Sequence, residues 1–249
     1  MNKKFFPDNR LEALLMQAAN DPGVRPEFYH QLLESDLFVL IVPSGLEAGQ
    51  HTARQGDHLM IKGIAVEGRK LIPVFTSELR LREYLQQQDH LAQLKGRALL
   101  PMIAEQNNGM LLNPASNYGK EFTPTEVAAL VDGSIFQQFE KTTLSQNQKA
   151  IIGQAKEYPD KLAAALKSFF ERDSKVHKAF LAQIQMPQSN EPPHLLIAIE
   201  AEGDFESVAA GCGIVIKDTL GPGQFVDLMP LRGSNFEHDF EKITPFYQK

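Results

Sequence analysis

The chain has 249 residues, 43% of them hydrophobic and 22% charged, which fits one large or two modest folded domains and excludes a disordered chain. Its formal net charge of −6 is shared by both halves, so no basic arm or basic overall field favours nucleic acid or an anionic membrane surface. A single cysteine, Cys212, excludes an intramolecular disulfide framework and a multi-cysteine zinc site.

The opening "MNKKFFPDNRLEALL" carries charges at Asp8, Arg10 and Glu12 that interrupt any apolar run. It reads neither as a signal peptide nor as a membrane span, no later stretch approaches spanning length, and a cytoplasmic location is the expectation. Asp8 is the expected N-cap of a first helix whose Leu11, Leu14, Leu15 and Ala18 recur at helical spacing, stopped by Pro22 and Gly23. "RPEFYHQLLES" predicts a second helix with Pro26 in its first turn. "DLFVLIVP" is a short continuous apolar run, as a buried strand requires. The polar stretch 44–57, with three glycines, predicts a surface loop. "HLMIKGIAV" and "KLIPVFTS" predict strands around a Glu67–Gly68 turn, and "TSELRLREYLQQ" a helix entered through Thr76 or Ser77. "RALLPMIA" fits strand and helix equally, "GMLLNP" predicts a strand ended by Pro114, and a helix follows from Pro124 to Val131. The polar, weakly patterned stretch 137–148 is the expected linker, with a domain boundary near residue 146. Beyond it, "KAIIGQA" predicts a strand and "YPDKLAAALKSFFERD" a helix starting at Pro159. "KVHKAFLAQIQM" and "HLLIAIEA" predict neighbouring strands joined by a proline-rich turn. "GDFESVAAGCG" predicts a short helix capped by Asp204 and stopped at Gly211 or Gly213; "GIVIKDTL" and "QFVDLMPL" then predict strands.

"NYGKEFTPTEV" sets a glycine, a lysine and a threonine close together, as a phosphate-binding loop does. Gly119 and Lys120 nevertheless stand alone, and Glu121 would meet the anion with a carboxylate. Thr123, Pro124 and Glu126 instead fit N-cap, N1 and N3 of a capping box, and Phe122 and Val127 fit the flanking hydrophobic staple. Lys120 has no structural task in that reading.

The seven histidines lack ligand spacing: His51 and His58 share a loop with Glu47 and Asp57, and His238 sits among charges. There is no G-x-S-x-G elbow, and Cys212, between two glycines at an expected helix end, reads as a small buried residue. Glu200, Glu202 and Asp204 alternate at a strand end and would form a cation or amine site if the strand continued. Gly203 turns the chain there and Asp204 caps the next helix, which leaves Glu200 without a task. No catalytic residue, cofactor or metal is expected.

Taken in order, "IPVFTS", "LLNPASNYGKEFTPTEVAAL", "LLIAIEAEGD", "KDTLGPG" and "ITPFY" resemble the enhanced serine sensitivity (SseB) family of bacteria over nearly the whole chain. The chain ends just after Phe246 and Tyr247, where the resemblance leads one to expect a longer tail. The family is named for an overexpression phenotype, so the resemblance implies no reaction, catalytic residue or cofactor. A type III secretion translocon component shares the name, but it would need hydrophobic membrane-active segments.

The expected fold is α+β, with domains at 1–146 and 147–249, each a small mixed sheet with packed helices. The expected function is a non-catalytic cytoplasmic binding or regulatory protein with an unidentified protein partner, not nucleic acid and not a membrane. The alternative is an enzyme or small-ligand sensor, for an amino acid or a nucleotide, with its site between the domains. The expected binding surface comprises Phe75, Thr76, Ser77, Asn113, Pro114 and Glu200, where strands end and helices begin.

Overall fold

Asn9 opens the first helix, α1 (Arg10–Ala18), by accepting the Glu12 amide on its side chain, and α1 buries Leu11, Leu14, Leu15 and Ala18. Asp8, the expected cap, lies one residue outside. Both residue types cap well; Glu12 decides the register, because its carboxylate reaches back to the Asp8 amide at 2.9 Å. The computed structural model describes residues 6–42, 50–51 (backbone), 60–85, 89–136, 150–155, 158–187, 192–221, 224 and 226–249. The expected surface loop, apart from the backbone of Gln50–His51, and the expected boundary near 146 lie outside the described residues.

The described chain is an α+β fold of two compact units. The first comprises Met1–Asn20 and Glu27–Ile135; the second comprises Asp21–Pro26 and Phe136–Lys249.

In the first unit, α2 (Arg25–Glu34) leads into β1 (Asp36–Val42), whose five central residues are all buried, as a strand covered on both faces must be. The sheet order is β2 (Gln50–His51), β6 (Leu91–Lys95), β1, β5 (Arg69–Phe75), β7 (Gly109–Leu112) and β8 (Lys120–Phe122). Short β3 (Met60–Ile61) lies beside β1, and β4 (Ile64–Val66) lies beside β5. The sheet is mixed: β1 runs antiparallel to β5 and β6, while β5 and β7 are parallel. Glu67 and Gly68 both take positive φ, 50° and 77°, at the β4–β5 turn, as a two-residue hairpin of matching twist requires. Among the described residues, α3 (Glu78–Tyr84), α4 (Gly96–Ala104) and α5 (Pro124–Asp132) complete the unit. The ambiguous "RALLPMIA" is therefore helical, with Pro101 inside α4. Leu99, Leu100 and Ile103 on one buried face decide it.

In the second unit the sheet order is β12 (Val226–Pro230), β11 (His194–Ala201), β10 (Val176–Gln185) and β13 (Tyr247–Gln248), with β9 (Ile151–Gln154) also on β10. Helices α6 (Asp160–Arg172) and α7 (Phe205–Thr219) belong to one face, where Leu166, Phe170, Leu181, Ile197, Val208 and Val215 form the core. Alternation along the strands sends Phe180, Ala182, Ile184, Leu196 and Ala198 to the other face. A 3-10 turn, Glu237–Lys242, covers part of that face with Phe240, together with the following Ile243.

Helix α7 corrects the sequence reading, which stopped it at Gly211 or Gly213 and made "GIVIKDTL" a strand. The helix continues to Thr219 because Gly211 is where the Phe169 ring of α6 rests: a Cβ there would lie 2.2 Å from Phe169 Cζ. The glycine is a packing notch and not a stop.

Candidate functional site

Thr76, Ser77 and Asn113 lie at the carboxyl ends of the parallel strands β5 and β7, and the fold gathers them around Glu12. Thr76 Oγ1 and Ser77 Oγ donate to Glu12 Oε1 at 2.7 and 3.0 Å. Arg80 Nε and Nη2 donate to Glu12 Oε2 at 3.1 and 2.9 Å, and Arg80 Nη1 reaches Glu83 at 2.8 Å. Asn113, in left-handed backbone at φ 50°, accepts the Thr76 amide on Oδ1 at 3.0 Å. Its Nδ2 donates to Thr76 Oγ1 at 2.8 Å, so the Thr76 hydroxyl is held by Asn113 and Glu12 together.

Glu12 has no solvent exposure, and burial by itself would raise its carboxyl. The Arg80 guanidinium, the Asp8 amide and the two hydroxyls outweigh that and hold it below the usual glutamate range. Five donors on one carboxylate leave no lone-pair direction for a further ligand. This cluster is a structural latch.

Phe75 is likewise buried, packed with Phe38, Leu40 and Leu81 and 5.2 Å from the Tyr84 ring centroid. An aromatic anchor must be reachable by a partner, and Phe75 is 0% exposed, so it serves the core instead. Pro114 is half-buried beside the latch. Glu200 belongs to the second unit, and the other five residues belong to the first.

The three clustered acids also separate. Asp204 caps α7 by accepting the Glu206 amide, Glu202 faces His177 at 3.2 Å, and Glu200 pairs with Arg232. Glu200 lines an open cleft of about 470 Å³ on the sheet face opposite α6 and α7. Its floor is Phe180, Leu231, Phe240, Ile243 and Pro245; its rim is Lys178, Glu200, Arg232, Glu237, Glu241 and Gln248. Phe180 and Phe240 pack at 5.5 Å between centroids. Sequence reasoning named Glu200 alone. The signal for Lys178 and Phe180 was present as period-two spacing on β10, but Arg232, Phe240 and Ile243 arrive from a segment with no regular period.

The remaining candidates resolve into structure. Thr123 and Glu126 form the capping box at α5, and its C-cap Gly133 is left-handed. Lys120 has a task after all: its ammonium meets Glu126 Oε1 at 3.2 Å and lies 4.6 Å from the Phe122 ring centroid. Cys212 is wholly buried inside α7, and burial, with the charge of Asp173 adding to it, pushes its thiol far up. His58, Glu47, Asp57 and the His51 side chain lie outside the described residues. His238 is exposed and bonds Glu241 at 2.9 Å. Among the described residues, no three His, Cys, Asp or Glu side chains gather as a metal ion requires, and no helix is long and apolar enough to cross a membrane.

Residues 11–129 match the SseB protein N-terminal domain family, and residues 144–249 match the SseB protein C-terminal domain family. The chain is 29% identical over 244 residues to Protein SseB of Escherichia coli (strain K12) and equally to Protein SseB of Shigella flexneri. Those alignments cover 97% of this chain and 92% of each relative. No solved structure matches the chain.

Proposed function

This chain belongs to the SseB family, and from that premise we propose that it is a bacterial cytoplasmic protein that works by holding another protein, not by transforming a substrate. The observation that carries this reading is the cleft of the second unit. Lys178, Glu200, Arg232, Glu237 and Glu241 give it the polar surround of a protein-recognition patch, over a floor closed by the buried Phe180, Leu231, Phe240 and Ile243. Among the described residues, three that could otherwise supply chemistry are engaged: Glu12 in its latch, Glu126 in a capping box, Cys212 in the core.

Capture from bacterial cytosol tests this. The wild type and an Ile243→Asp variant, each checked for folding, are used as bait, and bound proteins are identified by mass spectrometry. A partner retained by the wild type and lost by the variant is the expected result. Steady turnover of a component of a metabolite pool, with no protein captured reproducibly, would reject the reading.

A further inference from the structure

We infer that Thr76, Ser77 and Arg80 form a preformed binding site for a small carboxylate, one that the chain keeps closed with its own Glu12. The site is in the first unit and does not depend on the protein-binding reading. It lies where the parallel strands β5 and β7 end, a usual place for a ligand in sheets with parallel neighbours. Glu12 comes to it from α1, more than sixty positions away in sequence, and shows which chemistry fits. Both carboxylate oxygens are matched, Oε1 by the two hydroxyls and Oε2 by two Arg80 nitrogens.

Each donor is also held by bonds that do not involve Glu12. Thr76 gives its amide to Asn113 Oδ1 at 3.0 Å, and its hydroxyl accepts Asn113 Nδ2 at 2.8 Å. The Asn113 amide is itself fixed on the Val74 carbonyl at 2.8 Å. Ser77 is the N-cap of α3, its hydroxyl accepting the Arg80 amide, and Arg80 Nη1 is held by Glu83 at 2.8 Å. Thr76, Ser77 and Arg80 are all buried. Donors supported from behind in this way stay aimed at one point when Glu12 is gone. The empty site then leaves a buried guanidinium unpaired, and a carboxylate that fits restores the lost bonds.

The same groups fasten the outer end of α1. Arg80 Nη2 also donates to the Phe6 carbonyl at 2.7 Å, and Glu12 accepts the Asp8 amide at 2.9 Å, while Phe6, Pro7 and Asp8 are exposed. Segment 6–8 is thus tied down at the pair that fills the site, and its release is coupled to uncovering the donors. The ligand is a small free carboxylate and not the end of a peptide: Glu12 has no solvent exposure, so the space it fills admits little more than its own carboxylate. Glu12→Ala deletes a methylene and a carboxylate, which together are the heavy atoms of acetate.

The experiment compares the full chain as wild type and as Glu12→Ala, each titrated with sodium acetate at an ionic strength held constant with chloride. Acetate is expected to raise the variant's melting temperature in a saturable way and to shift its Thr76, Ser77, Arg80 and Asn113 amides in NMR spectra, with the wild type unmoved. If Glu12→Ala is unfolded in chloride, acetate should fold it, as circular dichroism reads. Acetamide sets an amino group against donors and should bind at least about tenfold more weakly than acetate. Acetyl-diglycine, whose carboxylate ends a peptide, and inorganic phosphate, which is tetrahedral, should also bind more weakly than acetate. Glu12→Ala combined with Arg80→Met should not respond to acetate. No saturable response in the single variant, folded or unfolded, would overturn the inference. So would acetamide equal to acetate, phosphate or acetyl-diglycine ahead of it, an unchanged response without Arg80, or a wild type that binds acetate as tightly as the variant.

Discussion

Arg80 is the counter-charge of a carboxylate that solvent does not reach. An ion pair removed from water is a weak source of net stability, but losing one partner strands the other charge at a cost of about 3–5 kcal/mol. We therefore predict that Arg80→Ala lowers unfolding stability by about that amount, measured by urea denaturation. A loss within the range of an ordinary surface change would mean that Glu12 finds water or another donor. The pH dependence follows in sign. Because the folded-state pKa of Glu12 is depressed, its stabilising contribution is complete above the unfolded value, about 4.3, and is lost as pH falls below that toward the folded value. The stability difference between wild type and Glu12→Gln should thus be largest near neutrality and shrink in acid. A difference that grows as pH falls contradicts the latch.

Two helices illustrate how an element's ends and face are set. At α5, Thr123→Ala removes the side-chain half of the capping box and should cost about 1 kcal/mol in thermal or chemical denaturation. Lys120→Ala breaks a pair whose members are each about one-third exposed, so it should cost no more than about 1 kcal/mol. A nucleotide that binds the wild type and not the Lys120 variant would refute the capping account. At α7, the Phe169 ring occupies the space a Cβ at position 211 would need. Gly211→Ala is predicted to destabilise by about 1–3 kcal/mol through overpacking. In a Phe169→Ala background the same change should become neutral or stabilising, since glycine inside a helix costs about 0.5–1 kcal/mol relative to alanine. A double-mutant cycle reads the coupling directly, and additive effects would show that ring and notch are independent.

For the whole molecule, the second unit is built from two separate chain segments. Asp21–Pro26 contributes a 3-10 turn in which Asp21 accepts Ser168 Oγ at 2.6 Å and Gly23 lies so close to α6 that a Cβ would be 2.4 Å from the Ala165 carbonyl oxygen. That neighbour is backbone and cannot swing aside. Gly23→Val should accordingly lower protection of α6 amides in hydrogen exchange, although the substitution is more than a hundred residues away in sequence. Unchanged α6 protection would show that the turn is dispensable. We also expect limited proteolysis to cut first within 137–148, the polar and weakly patterned stretch of the sequence. The released C-terminal piece should melt below the intact chain, because it lacks Asp21–Pro26; equal melting temperatures would contradict this.

Strands β1, β5, β10 and β11 and helices α1, α2, α5 and α6 were legible because their apolar periods, caps and prolines are local. So was the capping box, since Thr123, Pro124 and Glu126 interact within one turn. Strand β6, "LAQLK", was missed: with Gln93 and Lys95 in it, its state depends on pairing with β1, which local pattern does not encode. The second half of α7 was misread for the same reason, as Gly211 takes its meaning from a ring on another helix. At the candidate sites, sequence supplied residue types without their exposure. Thr76, Ser77 and Asn113 carry the polarity of a binding surface, yet Glu12, more than sixty positions away, closes over the first two. Glu200 was singled out for having no local task, and tertiary structure supplied the rest by bringing Lys178, Arg232 and Phe240 around it. Local chemistry determines caps, periods and charge; which side chains are covered and which face a common space is decided by contacts between segments far apart in the chain.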